Sequence, residues 1–289
     1  MSSFPLFPSE AVRRPVASVV SNLPARVFDR LSALPKLAEV TPASRLTVRP
    51  APEMVSSGVR AIDDLIGGLP RGCLTEVCGP VSSGRTSLLL AVLAAATHRH
   101  EACALVDVSD AFDPVSAARA KVNFESLLWI RCKTNPPQRY RDTEKTNQKH
   151  EDRQRMESPV EQALRATDLL LQSGGFGLVI IDLGDVPLKM ARRIPLTSWF
   201  RFQRAIEHTP TMLFVVTQAP CAQTCAALLL KVQAKKLSAF SSQLSALTPS
   251  HTELLDELRI ETEILRSRMP RKTAQSATAA FSTKTVRAG

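Results

Sequence analysis

The nine residues GPVSSGRTS, Gly79–Ser87, constrain this 289-residue chain more than any other stretch. They have the spacing of a phosphate-binding P-loop, G-x-x-x-x-G-K-[ST], with Arg85 where that motif carries lysine. Such a loop works because glycines let backbone N–H groups curl round phosphate oxygens at a helix N-terminus, where the helix dipole is positive. The motif requires a strand before it and a helix after it. Both are predicted here, CLTEVC (Cys73–Cys78) as the strand and RTSLLLAVLAAATH as the helix. Gly79, Ser82, Ser83, Gly84, Arg85, Thr86 and Ser87 are therefore the candidate nucleotide-binding residues.

The remaining pattern alternates in the same way. Strands are predicted at Ala102–Val108, Leu127–Arg131, Gly177–Asp182 and Thr211–Val216, and helices from Asp113 to about Val122, at Pro159–Leu171 and around Leu196–Glu207. Two of the strands are continuous apolar runs, which predicts an α/β fold with a mostly parallel central sheet covered by helices on both faces. Asp182 closes GLVIID, where a Walker B carboxylate would hold Mg²⁺ together with the hydroxyl of Thr86. At the loop itself, lysine is a compact point charge, whereas guanidinium is wide, planar and fixed in its fork. Hydrolysis of a bound nucleotide is expected to suffer more than its binding.

Charge and composition divide the chain into parts. Residues 1–50 hold seven prolines and a net charge of +4, and are expected to be a basic arm with one helix at Ala25–Glu39. Residues 51–269 form the P-loop domain, interrupted by 133–157, a run too poor in apolar residues to repay the entropy of ordering it. Residues 270–289 are expected to be a basic disordered tail, and 259–289 carry +5 against +1 for 51–258. An excess of positive charge at the ends suits contact with a polyanion, and nucleic acid is the expected one. No apolar run approaches the ~18–20 residues that span a bilayer. The opening MSSFPLFPSEAVRRPVAS has prolines and arginines where a signal peptide needs an apolar segment, so a cytoplasmic, nucleoid-associated protein is expected. The six cysteines lack C-x-x-C pairs and histidines at ligand spacing, and are expected to be buried free thiols with no structural metal.

With these motifs in place, their order resembles that of the RecA recombinase family. SGVRAIDDLIGGLPRGCLTEVCGPVSSGRTSLLL is similar to that family's approach to Walker A, VDVSDAFDPVSAARAKVNFESLLWIRC to its next strand–helix–strand, SPVEQALRATDLLL to its following helix, and LVIID to its Walker B strand. FVVTQ resembles the strand ending in the γ-phosphate-sensing glutamine, which makes Gln218 the switch residue by resemblance, and Asp113 matches the adenine-contacting aspartate. The departures bear on activity. Ser109 stands where the family has the glutamate that orients the attacking water, with Asp110 one place out of register. Ser116 replaces an aromatic platform, and the long DNA loop after the switch glutamine shrinks to APCAQT.

KMARRIPLTSWFRFQRAIEHTPTMLFVV resembles more narrowly the degenerate RecA-like accessory proteins of the ImuA type, which accompany an error-prone polymerase in bacterial damage-induced (SOS) mutagenesis. That resemblance implies an ATPase-impaired factor in translesion synthesis that contacts DNA, a polymerase or a recombinase, with self-association possible. ATP and Mg²⁺ are its implied ligands only if the altered pocket still takes them. The competing expectation is an active DNA-dependent ATPase in which Arg85 holds phosphate, Thr86 and Asp182 hold Mg²⁺, and Asp110 replaces the missing glutamate. A cell-division regulator on the same fold has no feature in its favour.

Lys189, Arg192, Arg193, Arg201 and Arg204 put five cations into sixteen residues, with no acid before Glu207. They suit phosphates, preferentially those of a single strand, and Trp199, Phe200 and Phe202 suit base stacking. The alternative is that Leu196, Trp199, Phe200 and Ile206 form a core-facing helical stripe with Arg201 and Arg204 on the wet side. Near the C-terminus, LRIETEILRSRMPRKTA reads as an edge strand followed by a second basic surface, Arg266, Arg268, Arg271 and Lys272.

Overall fold

In the computed structural model, residues 51–132, 158–235, 257–269 and 278–284 are described. The arm at 1–50, the insertion at 133–157, Arg271 and Lys272 lie outside them. The central strands are apolar on both faces because each residue meets a different core. In β6 (Leu178–Asp182), Val179 and Ile181 pack towards one layer, Leu178 and Ile180 towards the other, and all four are fully buried. β3 (Leu74–Cys78), β4 (Cys103–Asp107) and β7 (Met212–Thr217) are likewise buried throughout. Such strands are stable only with helices on both sides.

With β5 (Leu127–Arg131), β8 (Leu228–Ala234), β9 (Glu257–Ser267) and β10 (Thr278–Lys284), they form one eight-stranded sheet of order β10-β9-β8-β3-β7-β6-β4-β5. The run from β8 to β5 is parallel, and β9 and β10 add antiparallel. A two-residue ladder of β1 (Met54–Val55) and β2 (Leu69–Pro70) brackets α1 (Arg60–Ile66). On the α1 face, α2 (Arg85–His98) and α3 (Pro114–Arg119) contribute Leu88, Leu89, Val92, Leu93 and Ala117 to the core. On the opposite face α4 (Pro159–Ser173) and α6 (Leu196–Ile206) cover the sheet, preceded by the single turn α5 (Leu188–Ala191). The mixed α/β architecture, mostly parallel and helix-covered, is the one expected.

α4 starts where it does because Ser158 and Glu161 form a capping box: Ser158 Oγ accepts from Glu161 N at 3.2 Å, and Ser158 N donates to Glu161 Oε2 at 2.8 Å. Two orphan donors are satisfied at once. Ser158→Ala is expected to cost about 1 kcal/mol in urea unfolding, with no change in the cores.

Three expectations need correction. The strand at the C-terminus is not an edge, because β9 lies between β8 and β10, and β10 arises from the segment expected to be disordered. Its Ser/Thr/Ala-rich sequence hid it: Phe281 packs against the core, and the ladder with β9 and the neighbouring α1 supply the rest. The stripe of α6 is Trp199, Phe202 and Ile206, spaced i, i+3 and i+7 and all buried, with Trp199 and Phe202 edge to face at 6.0 Å. Phe200, one position round the helix from Trp199, is 45% exposed. All six cysteines are free thiols, buried except the half-buried Cys73.

Candidate functional site

The loop Gly79–Gly84 links the end of β3 to the start of α2 and is closed by backbone geometry that its sequence permits. Gly84 is the N-cap of the helix at φ 92° and Ser82 sits at φ 60°, both left-handed. A Cβ on Gly79 would stand 2.2 Å from the carbonyl oxygen of Val232 and 2.6 Å from Ser83 Oγ, and one on Gly84 would stand 2.2 Å from Ile260 Cδ1. Glycine is required at both ends of the loop by close approach. No side chain caps α2, so its first-turn N–H groups face the loop. Among the described residues, the buried Ser83 Oγ has no hydrogen-bond partner. The crest is open, with Val81 70% exposed and Ser82 and Thr86 also exposed, while β9 closes the flank through the fully buried Ile260. An uncapped fourteen-residue helix, a left-handed loop and an orphan hydroxyl fit a phosphate group. Ser87 lies half-buried on the first turn.

Arg85 reaches from the first turn of α2 to the corner after β6. Only 7% of it is exposed, and its Nη1 donates to the carbonyl of Gly184 at 2.9 Å, in the corner that follows β6. A Cβ on Gly184 would lie 2.9 Å from Asp182 Oδ1 and 3.3 Å from Arg85 Nη1, so carboxylate and guanidinium flank one point. Asp182 Oδ1 also accepts from Gly184 N at 2.8 Å. Burial pushes the Asp182 carboxyl up to about 6, with Asp107 and Asp185 adding to the rise and Gly184 N–H and Arg85 opposing it. The loop fits a phosphate group, and Thr86, exposed on the first turn of α2, and Asp182 are the residues that would hold Mg²⁺, an ion that takes oxygen ligands and keeps several waters.

The other groups expected at the site have local partners. Asp113 caps α3, accepting from Val115 N at 3.1 Å, Ser116 N at 3.0 Å and Ser116 Oγ at 2.6 Å. The Ser116 hydroxyl and these amides hold its carboxyl below the usual range. Ser109 is exposed. Asp110, at φ 55°, is clamped in both oxygens by Arg131 at 2.6 Å, which also lowers its pKa. Arg131 in turn lies 5.0 Å over the Trp129 ring. Gln218, one residue past β7, donates from Nε2 to Val186 O at 3.3 Å, linking the end of β7 to the segment that runs from Asp182 towards the cationic turn.

Lys189, Arg192, Arg193 and Arg204 are exposed on α5, the turn after it and α6. Arg201 is exposed too, but pairs with Asp168 at 2.8 Å and lies over the Phe202 ring. Trp199 and Phe202 are in the core, leaving Phe200 as the one of the three aromatics presented to solvent. Arg266 and Arg268 are not a free surface: their guanidinium groups donate to the carbonyls of Gln223 and Thr224, tying β9 to the short loop after β7.

Two buried carboxylates escaped sequence reading. Glu76, inside β3, accepts from Cys221 N at 2.7 Å, Ala222 N at 3.2 Å and Thr217 Oγ1 at 3.2 Å, and so holds the loop that follows Gln218. Burial raises its carboxyl above the ordinary 4.5, against the pull of these donors. Asp107, in register with Asp182, accepts from Ala111 N, Phe112 N and Trp129 Nε1 and shapes the turn bearing Ser109. The signal for Glu76 was present, a lone acid between Thr75 and Val77 in a strand with no wet face.

The family described as the RecA N-terminal domain matches residues 45–136. The protein RecA of Ectopseudomonas oleovorans is 29% identical over 182 residues, 57% of this chain and 45% of that protein. The protein RecA of Rickettsia canadensis (strain McKiel) is 35% identical over 132 residues, 45% of this chain and 31% of that protein. The chain thus spans less than half the length of these curated relatives. The core is RecA-like, and these matches support kinship with the RecA superfamily.

Proposed function

We propose that the chain is an ATPase-impaired, RecA-like accessory protein of DNA repair, of the ImuA type, acting in SOS-induced translesion synthesis in the cytoplasm. It binds single-stranded DNA through the exposed cations of α5 and α6, and an error-prone polymerase or recombinase is its protein partner. The observation that carries this reading is the Arg85 guanidinium, buried and hydrogen-bonded to Gly184 beside Asp182. In a phosphate loop the charge at this position belongs on the terminal phosphates; here it is committed to the strand-end corner. The group that would orient water is also lacking, since Ser109 has no carboxylate and Asp110 is held by Arg131.

The alternative, an active DNA-dependent ATPase, has the left-handed geometry of Ser82 and Gly84 in its favour, because the loop itself is intact. Steady-state turnover of ATP by the purified chain in Mg²⁺, with and without single-stranded DNA, separates the two. Turnover at background in both conditions, unchanged by Asp182→Ala, is expected. DNA-stimulated turnover that Asp182→Ala abolishes would reject the impaired reading and establish the enzyme.

A further inference from the structure

We propose that Phe200 is the platform on which the bases of a single strand stack, and that its ring is what separates single-stranded DNA from duplex at this surface. This deepens the reading of α5 and α6 as a DNA surface and rests on it. It follows from what α6 leaves outside once its core stripe is filled.

With Trp199, Phe202 and Ile206 buried, the opposite side of α6 carries Thr197, Phe200 and Arg204, all exposed and spaced i, i+3 and i+7. A half-exposed ring is ordinary on a protein surface, but this one stands among cations. Arg204 follows one turn along the same face, Arg192 and Arg193 are exposed on the turn leading into the helix, and Lys189 is exposed on α5. Among the described residues none of these four has a side-chain partner, and no acid occurs between Lys189 and Glu207. The adjacent Arg201 is engaged elsewhere, paired with Asp168 of α4 and lying over the Phe202 ring.

Side chains four residues apart on a helix are neighbours in space, so a base lying on Phe200 brings its phosphate within reach of Arg204. A polyanion that also offers open aromatic faces is a single-stranded nucleic acid; in a duplex the neighbouring base pairs close those faces. A protein partner would instead call for an apolar centre from which charge is depleted, whereas here one ring is set among four unpaired cations. Stacking is uncharged, so the ring adds affinity without adding to the salt dependence that the cations create.

Fluorescence anisotropy of the full chain with labelled oligothymidylate, a duplex of the same length and an abasic oligomer of the same length tests this. Phe200→Ala is expected to weaken binding of oligothymidylate about 10-fold, to leave its salt slope unchanged, and to alter duplex binding less than about twofold. Phe200→Trp should keep the parent's affinity, and Phe200→Leu should fall with alanine, because stacking needs a π-face that apolar area does not replace. The parent should bind the abasic oligomer as weakly as Phe200→Ala binds oligothymidylate. Circular dichroism checks that each variant is folded. Equal losses on single strand and duplex, a flattened salt slope, a leucine variant that matches the parent, or an abasic oligomer bound as tightly as oligothymidylate would overturn the proposal. So would an alanine variant that binds oligothymidylate like the parent, which would leave the ring to a protein partner. Joint replacement of Lys189, Arg192, Arg193 and Arg204 by alanine keeps the two readings apart. Loss of binding in that variant with Phe200→Ala silent rejects only the platform, whereas a parent that binds none of the three oligomers rejects both.

Discussion

Alanine at Lys189, Arg192, Arg193 and Arg204 together is expected to weaken retention of single-stranded DNA about 10²-fold or more near physiological salt. Each cation that neutralises a phosphate on a single strand contributes ~0.7 to the slope of log K against log salt. Losing four contacts should therefore flatten that slope by about 3, a change that nonspecific loss of folded protein does not produce. The four side chains are exposed on one stretch of chain, from α5 into α6. Arg201→Ala provides the internal comparison. Its guanidinium is paired with Asp168 at 2.8 Å, so its removal should change retention far less than removal of any one of the four. Filter binding across a salt series reads the quadruple variant, its four single counterparts and Arg201→Ala. A quadruple variant with the parent's slope would mean that DNA does not touch this face.

Glu76→Ala is expected to destabilise the fold by about 3 kcal/mol, because it strands two buried backbone N–H groups, on Cys221 and Ala222, and leaves the Thr217 hydroxyl only the long contact to the Val77 carbonyl. Denaturant unfolding measures the loss, and Glu76→Gln, which keeps one acceptor and adds two donors where donors already point, should fall between alanine and the parent. The pH dependence has a definite sign. Burial raises the folded carboxyl above the ordinary 4.5, so the folded state holds the proton more tightly than the unfolded one. The contribution from this group is fully present below about 4.5 and is lost as pH rises through the folded value. The parent should therefore lose stability across that window relative to Glu76→Gln, and an identical pH profile for the two would show that Glu76 does not titrate there. The loop that Glu76 holds, Cys221–Ala222, is the one that also receives Arg266 and Arg268 two and three residues on, so the same substitution should increase amide hydrogen exchange across 219–224.

Much of the scaffold was legible before any coordinates. Continuous apolar runs such as GLVIID announced strands buried on both faces, and glycine spacing announced the loop. Position by position, the reading failed where packing rather than pattern decided. Phe200 and Phe202 are equally apolar in sequence, yet a helix offers one stripe to the sheet, and the pair Trp199 and Ile206 selects Phe202 for it. β10 has little hydrophobic signal because the ladder with β9 and contact with α1 place it beside a single core phenylalanine.

Local physics decided the capping box and the alternation of strand and helix, both of which depend on residues within about four positions of one another. The tertiary structure alone decided what the charged groups do. Arg85 meets a carbonyl 99 residues away, and Glu76 meets donors 141 to 146 residues away. Those partners are fixed by the order in which strands lie in the sheet, β3 beside β7 and β7 beside β6. Buried polar groups must find partners wherever the fold brings them, and a linear pattern does not record which strand will be next to which.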